Sequence, residues 1–127
     1  MGRQRPLVLV VDDQRSLRSL IRVNLELEGF DVAEAVDGVE CLEQARARRP
    51  DLITLDIVMP RMDGLAAAAE LNADPLLRDV PVIMVTTSGH PQDLLMARAA
   101  GVDAYLTKPY DPEELVALVR ELIGSPH

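Results

Sequence analysis

Five residues stand where short apolar runs stop, and their types could do chemistry together. They are Asp12 and Asp13 after residues 7–11, Asp56 after 52–55, Thr86 after 80–85 and Lys108 after 102–107. If those runs are parallel strands of one open sheet, all five lie at the carboxyl edge, where ligands bind in that architecture. Three carboxylates a few ångströms apart would repel one another by roughly 4 kcal/mol per close pair at an effective dielectric near 20. They need cations: Lys108 supplies one charge, and a hard divalent ion bound through oxygens, Mg²⁺, suits the rest. An aspartate beside Mg²⁺, a lysine and a hydroxyl is equipped to attack a phosphoryl group in line and form an aspartyl phosphate. Mg²⁺ and Lys108 would neutralise the transferred oxygens, and Thr86 would donate a hydrogen bond to one of them. No general base is required, because a carboxylate is already ionised at neutral pH.

The elements that must position these residues alternate along the chain. Leu7-Val8-Leu9-Val10-Val11 is an unbroken β-prone run, the pattern of a strand covered on both faces. Residues 14–28 carry Leu17, Leu20, Ile21 and Leu25 at helical spacing, with Gly29 as C-terminal cap. Residues 30–35 include the polar Asp31 and Glu34, which predicts an exposed edge strand. Asp37 and Glu40 form a capping-box pattern for a second helix ending before Pro50, with Val36 and Cys41 at the hydrophobic-staple positions. A third strand over 52–55 leads through a loop stiffened by Pro60 to a helix over 64–72, capped by Asp63 and built on four consecutive alanines. A polar connector, a fourth strand over 80–85, a helix over 91–100 and a last strand over 102–107 follow. Asp111, Pro112 and Glu114 then start a final helix with an apolar stripe at Leu115, Leu118, Val119, Leu122 and Ile123. Five strands alternating with five helices imply an α/β fold: a parallel sheet with right-handed crossovers and helices on both faces, three layers in all.

Composition narrows the function classes. At 127 residues the chain has the size of one domain. A net charge of −8 disfavours nonspecific attraction to nucleic acid or anionic membrane. Cys41 is the only cysteine, so disulfides within the chain and thiolate metal clusters are excluded, as suits a reducing, cytoplasmic compartment. The apolar runs are too short to span a membrane. Neither the GxGxxG nor the GxxxxGK[ST] phosphate loop is present.

The segments Val10-Val11-Asp12-Asp13, Leu55 to Gly64, Pro81 to Thr86 and Tyr105 to Tyr110, in this order and spacing, carry a resemblance. Over residues 6–124 the chain resembles the receiver domain of two-component response regulators, of the CheY-like, stand-alone kind. The resemblance implies a flavodoxin-like doubly wound (βα)5 sandwich with strand order 2-1-3-4-5. It implies that Asp56 is the phosphoacceptor, served by a sensor histidine kinase or a phosphotransfer protein. Mg²⁺ would be held by Asp13, Asp56 and the backbone carbonyl of Val58, with Asp12 acting through water. Lys108 and Thr86 would assist, Lys108-Pro109 would be a cis peptide, and Thr86 with Tyr105 would form a switch pair. Switching would alter the surface of the fourth helix, fifth strand and fifth helix for a downstream protein target. The resemblance further implies a monomer or weak phosphorylation-dependent dimer, without direct contact to nucleic acid or membrane, that catalyses only its own phosphorylation and dephosphorylation. Residues 1–5 read as a flexible arm and 125–127 as a tail.

Two alternatives compete. A small metal-dependent phosphohydrolase of the dehalogenase type wants a D-x-D motif and a cap insertion, and Asp12-Asp13-Gln14 departs from the motif. A receiver used as a scaffold without phosphorylation would have no need of the full acidic set.

Overall fold

The computed structural model describes residues 5–57, 61–86, 91–108 and 110–123. The elements are β1 (Leu7–Val11), α1 (Arg15–Leu27), β2 (Asp31–Ala35), α2 (Gly38–Arg48), β3 (Leu52–Asp56), α3 (Gly64–Ala73), β4 (Val82–Thr86), α4 (Pro91–Ala99), β5 (Ala104–Thr107) and α5 (Pro112–Ile123). The strands form one parallel sheet in the order β2-β1-β3-β4-β5, the expected topology.

Alternation along β1 separates two cores. Leu7, Leu9 and Val11 join Cys41, Ala45, Ala67, Ala68 and Leu71 of α2 and α3. Val8 and Val10 join Ile21 and Leu25 of α1 and Leu115, Val116 and Val119 of α5. A central parallel strand with helices on both faces has no polar side, which is why its sequence reads as a continuous apolar run.

The caps follow the sequence. Asp37 accepts a hydrogen bond from the Glu40 N–H at 2.8 Å, and Asp63 one from the Ala66 N–H at 2.8 Å. Gly29, past the end of α1, takes φ 96°, a left-handed conformation that glycine adopts without a Cβ clash.

Four expectations are corrected. The fourth strand runs over Val82–Thr86 rather than 80–85, because the Val80 N–H is bonded back to the Leu77 carbonyl at 3.0 Å. Glu40 reaches back to the N–H of Val36 at 3.2 Å, one residue before the cap, and Val36 is exposed rather than stapled onto buried Cys41. The last strand begins at Ala104, because Asp103 is spent on closing the sheet's entry: its carboxylate accepts from Val82 N–H at 2.8 Å. Glu34, on edge strand β2, is half-buried under α1, where Arg18 Nε lies 2.8 Å and Arg22 Nη1 2.6 Å from its carboxylate. No helix among the described residues is long and apolar enough to cross a membrane. Of the expected arm and tail, only Arg5 lies within the described residues, as does the start of the 6–124 unit at Pro6.

Candidate functional site

The register brings the strand ends level. Val11 pairs with Leu55, so Asp12 and Asp56 emerge side by side, and Thr86 pairs with Thr107, so Lys108 emerges next to Thr86. The Lys108 N–H donates to the Thr86 carbonyl at 2.6 Å, which fixes where the lysine side chain starts. From there Nζ reaches Asp56 Oδ2 at 3.1 Å and Asp12 Oδ2 at 3.4 Å. Asp12, Asp56 and Thr86 are 2%, 7% and 1% exposed, whereas Asp13 is open to solvent. Burial opposes the lysine's charge, but its hydrogen bond to Asp56 and its attraction to Asp12 and Asp56 outweigh that and raise its pKa.

One carboxylate oxygen from each of Asp12, Asp13 and Asp56 lies within 4.8 Å of the others. An all-oxygen donor set this compact fits a hard divalent cation. The further ligand expected from the Val58 carbonyl lies outside the described residues, as do Pro60 and the Lys108-Pro109 peptide. Tyr105, half-buried on β5, packs against the α2–α3 core and borders a cavity of about 430 Å³ formed with Pro91, Leu94 and Leu95 of α4.

Several supporting residues escaped sequence reasoning. Arg18 Nη1 donates to the Asp12 carbonyl at 2.9 Å while Nε pairs with Glu34, so α1 holds the peptide that carries the first acid. Gln14 N–H donates to Asp12 Oδ1 at 2.8 Å and orients that carboxylate. Gly64 N–H donates to the Ile57 carbonyl at 2.7 Å, and a Cβ at Gly64 would overlap the Asp56 carbonyl oxygen. Tyr110 encloses a hydroxyl without a hydrogen-bond partner among the described residues, and burial, with Asp12 and Asp56 nearby, pushes its pKa to about 12. Gly64, after the cap residue Asp63, and Tyr110 fall within the segments that carry the resemblance, whereas the contacts of Arg18 and of the Gln14 N–H leave no mark in the sequence.

A parallel sheet whose order reverses at β1, with acids at that switch point, places the chain in the flavodoxin-like class that CheY-like proteins share. A family model described as the response regulator receiver domain matches residues 8–120, and the chain belongs to that family. Its role is that of a phosphoacceptor domain in two-component signalling.

Among curated relatives it is 42% identical over 118 residues to the DNA-binding dual master transcriptional regulator RpaA of Synechocystis, covering 93% of this chain and 49% of that one. It is 40% identical over 120 residues to the DNA-binding response regulator MtrA of Mycobacterium tuberculosis, covering 94% and 51%. The chain thus spans about half the length of the curated relatives it matches. Among solved structures, the chemotaxis response regulator CheY4 of Vibrio cholerae superposes with a TM-score of 0.88 at 31% identity, covering 93% of this chain and 98% of that one. Two of these relatives are named as DNA-binding, so the expectation of no direct nucleic-acid contact finds no support among them.

Proposed function

We propose that Asp56 is the residue that accepts the phosphoryl group, from a sensor histidine kinase or a phosphotransfer protein. The observation that carries this reading is Lys108 Nζ at 3.1 Å from Asp56 and 3.4 Å from Asp12, at the edge where three carboxylates meet. An Asp56 oxygen forms the new bond to phosphorus as the bond from phosphorus to the donor's histidine nitrogen breaks, and the donor imidazole leaves. Lys108 and the Thr86 hydroxyl stabilise charge on the transferred oxygens. Asp13, Asp56 and the Val58 carbonyl would hold Mg²⁺, with Asp12 acting through water. When bound, the ion neutralises the acids and draws in phosphate.

Output passes from Thr86 to Tyr105 and so to the surface of α4, β5 and α5, where exposed Leu94, Leu95 and Met96 offer apolar footing to a protein target. The chain works in the cytoplasm and turns over no substrate beyond its own phosphoryl group. The DNA-binding names of the relatives leave nucleic acid among the possible outputs of a longer protein carrying this domain.

Mass spectrometry after treatment with acetyl phosphate and Mg²⁺ tests the assignment. Wild type should gain one phosphoryl group and Asp56→Asn none. An unmodified wild type, or an equally modified variant, refutes it.

A further inference from the structure

Of the loop between β3 and α3, Ile57 and residues 61–63 are described, and contacts fasten it on two sides. On one side Gly64 N–H bonds to the Ile57 carbonyl, and Gly64 itself lies against the Asp56 backbone. On the other side the loop meets the N-terminus of α2. The Met62 carbonyl accepts from Gly38 N–H at 3.0 Å, and a Cβ on Gly38 would lie 2.5 Å from that oxygen. Arg61 completes this side with a two-point ion pair: Nε to Asp37 Oδ2 at 2.6 Å and Nη2 to Asp37 Oδ1 at 3.1 Å.

Two details make this pair unlike an ordinary surface contact. Asp37 is buried and also caps α2, so its position is set by the helix. Arg61 takes φ 64°, a left-handed conformation that side chains other than glycine adopt at a cost. A residue bearing a side chain is thus held in a glycine-like conformation at the point where that side chain reaches Asp37. The Asp37 pKa is correspondingly lowered, first by the Arg61 hydrogen bonds and then by the Glu40 backbone bond.

We propose that Arg61 is a positioning residue of the phosphoacceptor site: by clamping the loop to Asp37 it seats Gly64, and through Gly64 the backbone of Asp56 and Ile57, in the geometry required to bind a divalent cation. The inference rests on the reading of Asp56 and its neighbours as the phosphoryl and metal site. Arg61 touches neither phosphate nor metal. Without its guanidinium, the α2 side of the loop would retain the Gly38–Met62 hydrogen bond alone among the contacts described above.

Calorimetric titration of Mg²⁺ into the full chain, without any phosphodonor, measures the effect directly. Arg61→Gly suits the left-handed backbone and removes the guanidinium but also frees the chain, so the same clamp is removed from its other end without that freedom. Asp37→Asn keeps a good helix cap and removes the charge. Each variant should bind Mg²⁺ about tenfold more weakly, at the low end of what losing a supporting residue costs a metal site. The double variant should bind no more weakly than either single one, because both delete the same clamp. Arg61→Lys, which keeps charge but not the two-point geometry, should fall between wild type and Arg61→Gly, and it reads the clamp if Arg61→Gly fails to fold. Folded variants that bind Mg²⁺ as wild type does, or losses that add in the double variant, overturn the proposal while leaving Asp56 in place. A folded wild type that binds no Mg²⁺ removes the metal-site reading, and this inference with it.

Discussion

Asp13→Asn should make the metal-free protein more stable and deprive it of its response to Mg²⁺. The Asp13 carboxylate shares a 4.8 Å neighbourhood with those of Asp12 and Asp56, while the contacts of Lys108 go to the latter two. At 4.8 Å each like-charge pair is worth about 3.5 kcal/mol at an effective dielectric of 20 and about 0.9 kcal/mol in bulk water. Asp13 is exposed, so the lower figure applies. Two such pairs, partly offset by Lys108, leave a repulsion of about 1–2 kcal/mol that the amide removes at nearly constant volume. In a chain of this size that raises Tm by about 4–8 °C. Thermal unfolding at pH 7, low salt and excess chelator measures it. In 1 M salt, where the Debye length shrinks to about 3 Å, most of the gain should vanish. Adding Mg²⁺ at about 100 times its Kd should stabilise wild type by about 2.7 kcal/mol and the variant far less. A variant no more stable than wild type at low salt, or one that keeps the whole Mg²⁺ response, would refute the idea that Asp13 repels its neighbours and holds the ion.

Three further outcomes follow from the packing. Gly64→Ala should lower stability by about 2 kcal/mol or more in urea unfolding, because its Cβ meets backbone held in the β3–β4 ladder rather than a side chain that can move. Stability should fall with acid below about pH 4. Arg61 lowers the Asp37 pKa; burial raises that of Glu34, but the hydrogen bonds from Arg22 and Arg18 outweigh it. A carboxylate with a depressed folded-state pKa stabilises above its unfolded value and loses that contribution as pH falls through the folded one, so Glu34→Gln should flatten the acid limb of a pH series. Cys41 is fully buried, and burial followed by repulsion from Asp37 pushes its pKa up to about 12. Its thiol should therefore be inert to a disulfide reagent at pH 8 until the chain is unfolded, and rapid labelling of native protein would contradict the packing.

What the sequence disclosed and what it hid divide by range. The unbroken run in β1 and the caps Asp37 and Asp63 are local signals; the first marked a central strand, and the caps placed the starts of α2 and α3. The five residues of the chemical edge were legible because each ends an apolar run, and sheet topology makes neighbours of strand ends. Arg61 and Asp37 lie 24 residues apart and Arg18 and Glu34 lie 16 apart. Charges like these carry no periodicity, and among many surface arginines nothing in the sequence singles out those that reach across. Glu34 read as solvent-facing for the same reason: its partners sit on another element. The early end assigned to the β5 entry reflects Asp103, whose type suggests a turn but whose bond to Val82 depends on β4 being alongside.

The separation between Asp12 and Lys108 also has a consequence in time. Lys108 follows Asp12 by 96 residues and Asp56 by 52. At a synthesis rate of about 5–20 residues per second, the lysine leaves the ribosome about 3–10 s after Asp56. For that interval the emerging chain carries the acids of β1 and β3 without their lysine, and a domain that folds as a unit completes its sheet only once β5 has been made. The last strand to be made thus brings a sheet edge and, one residue beyond it, the charge that meets the acids of the first and third.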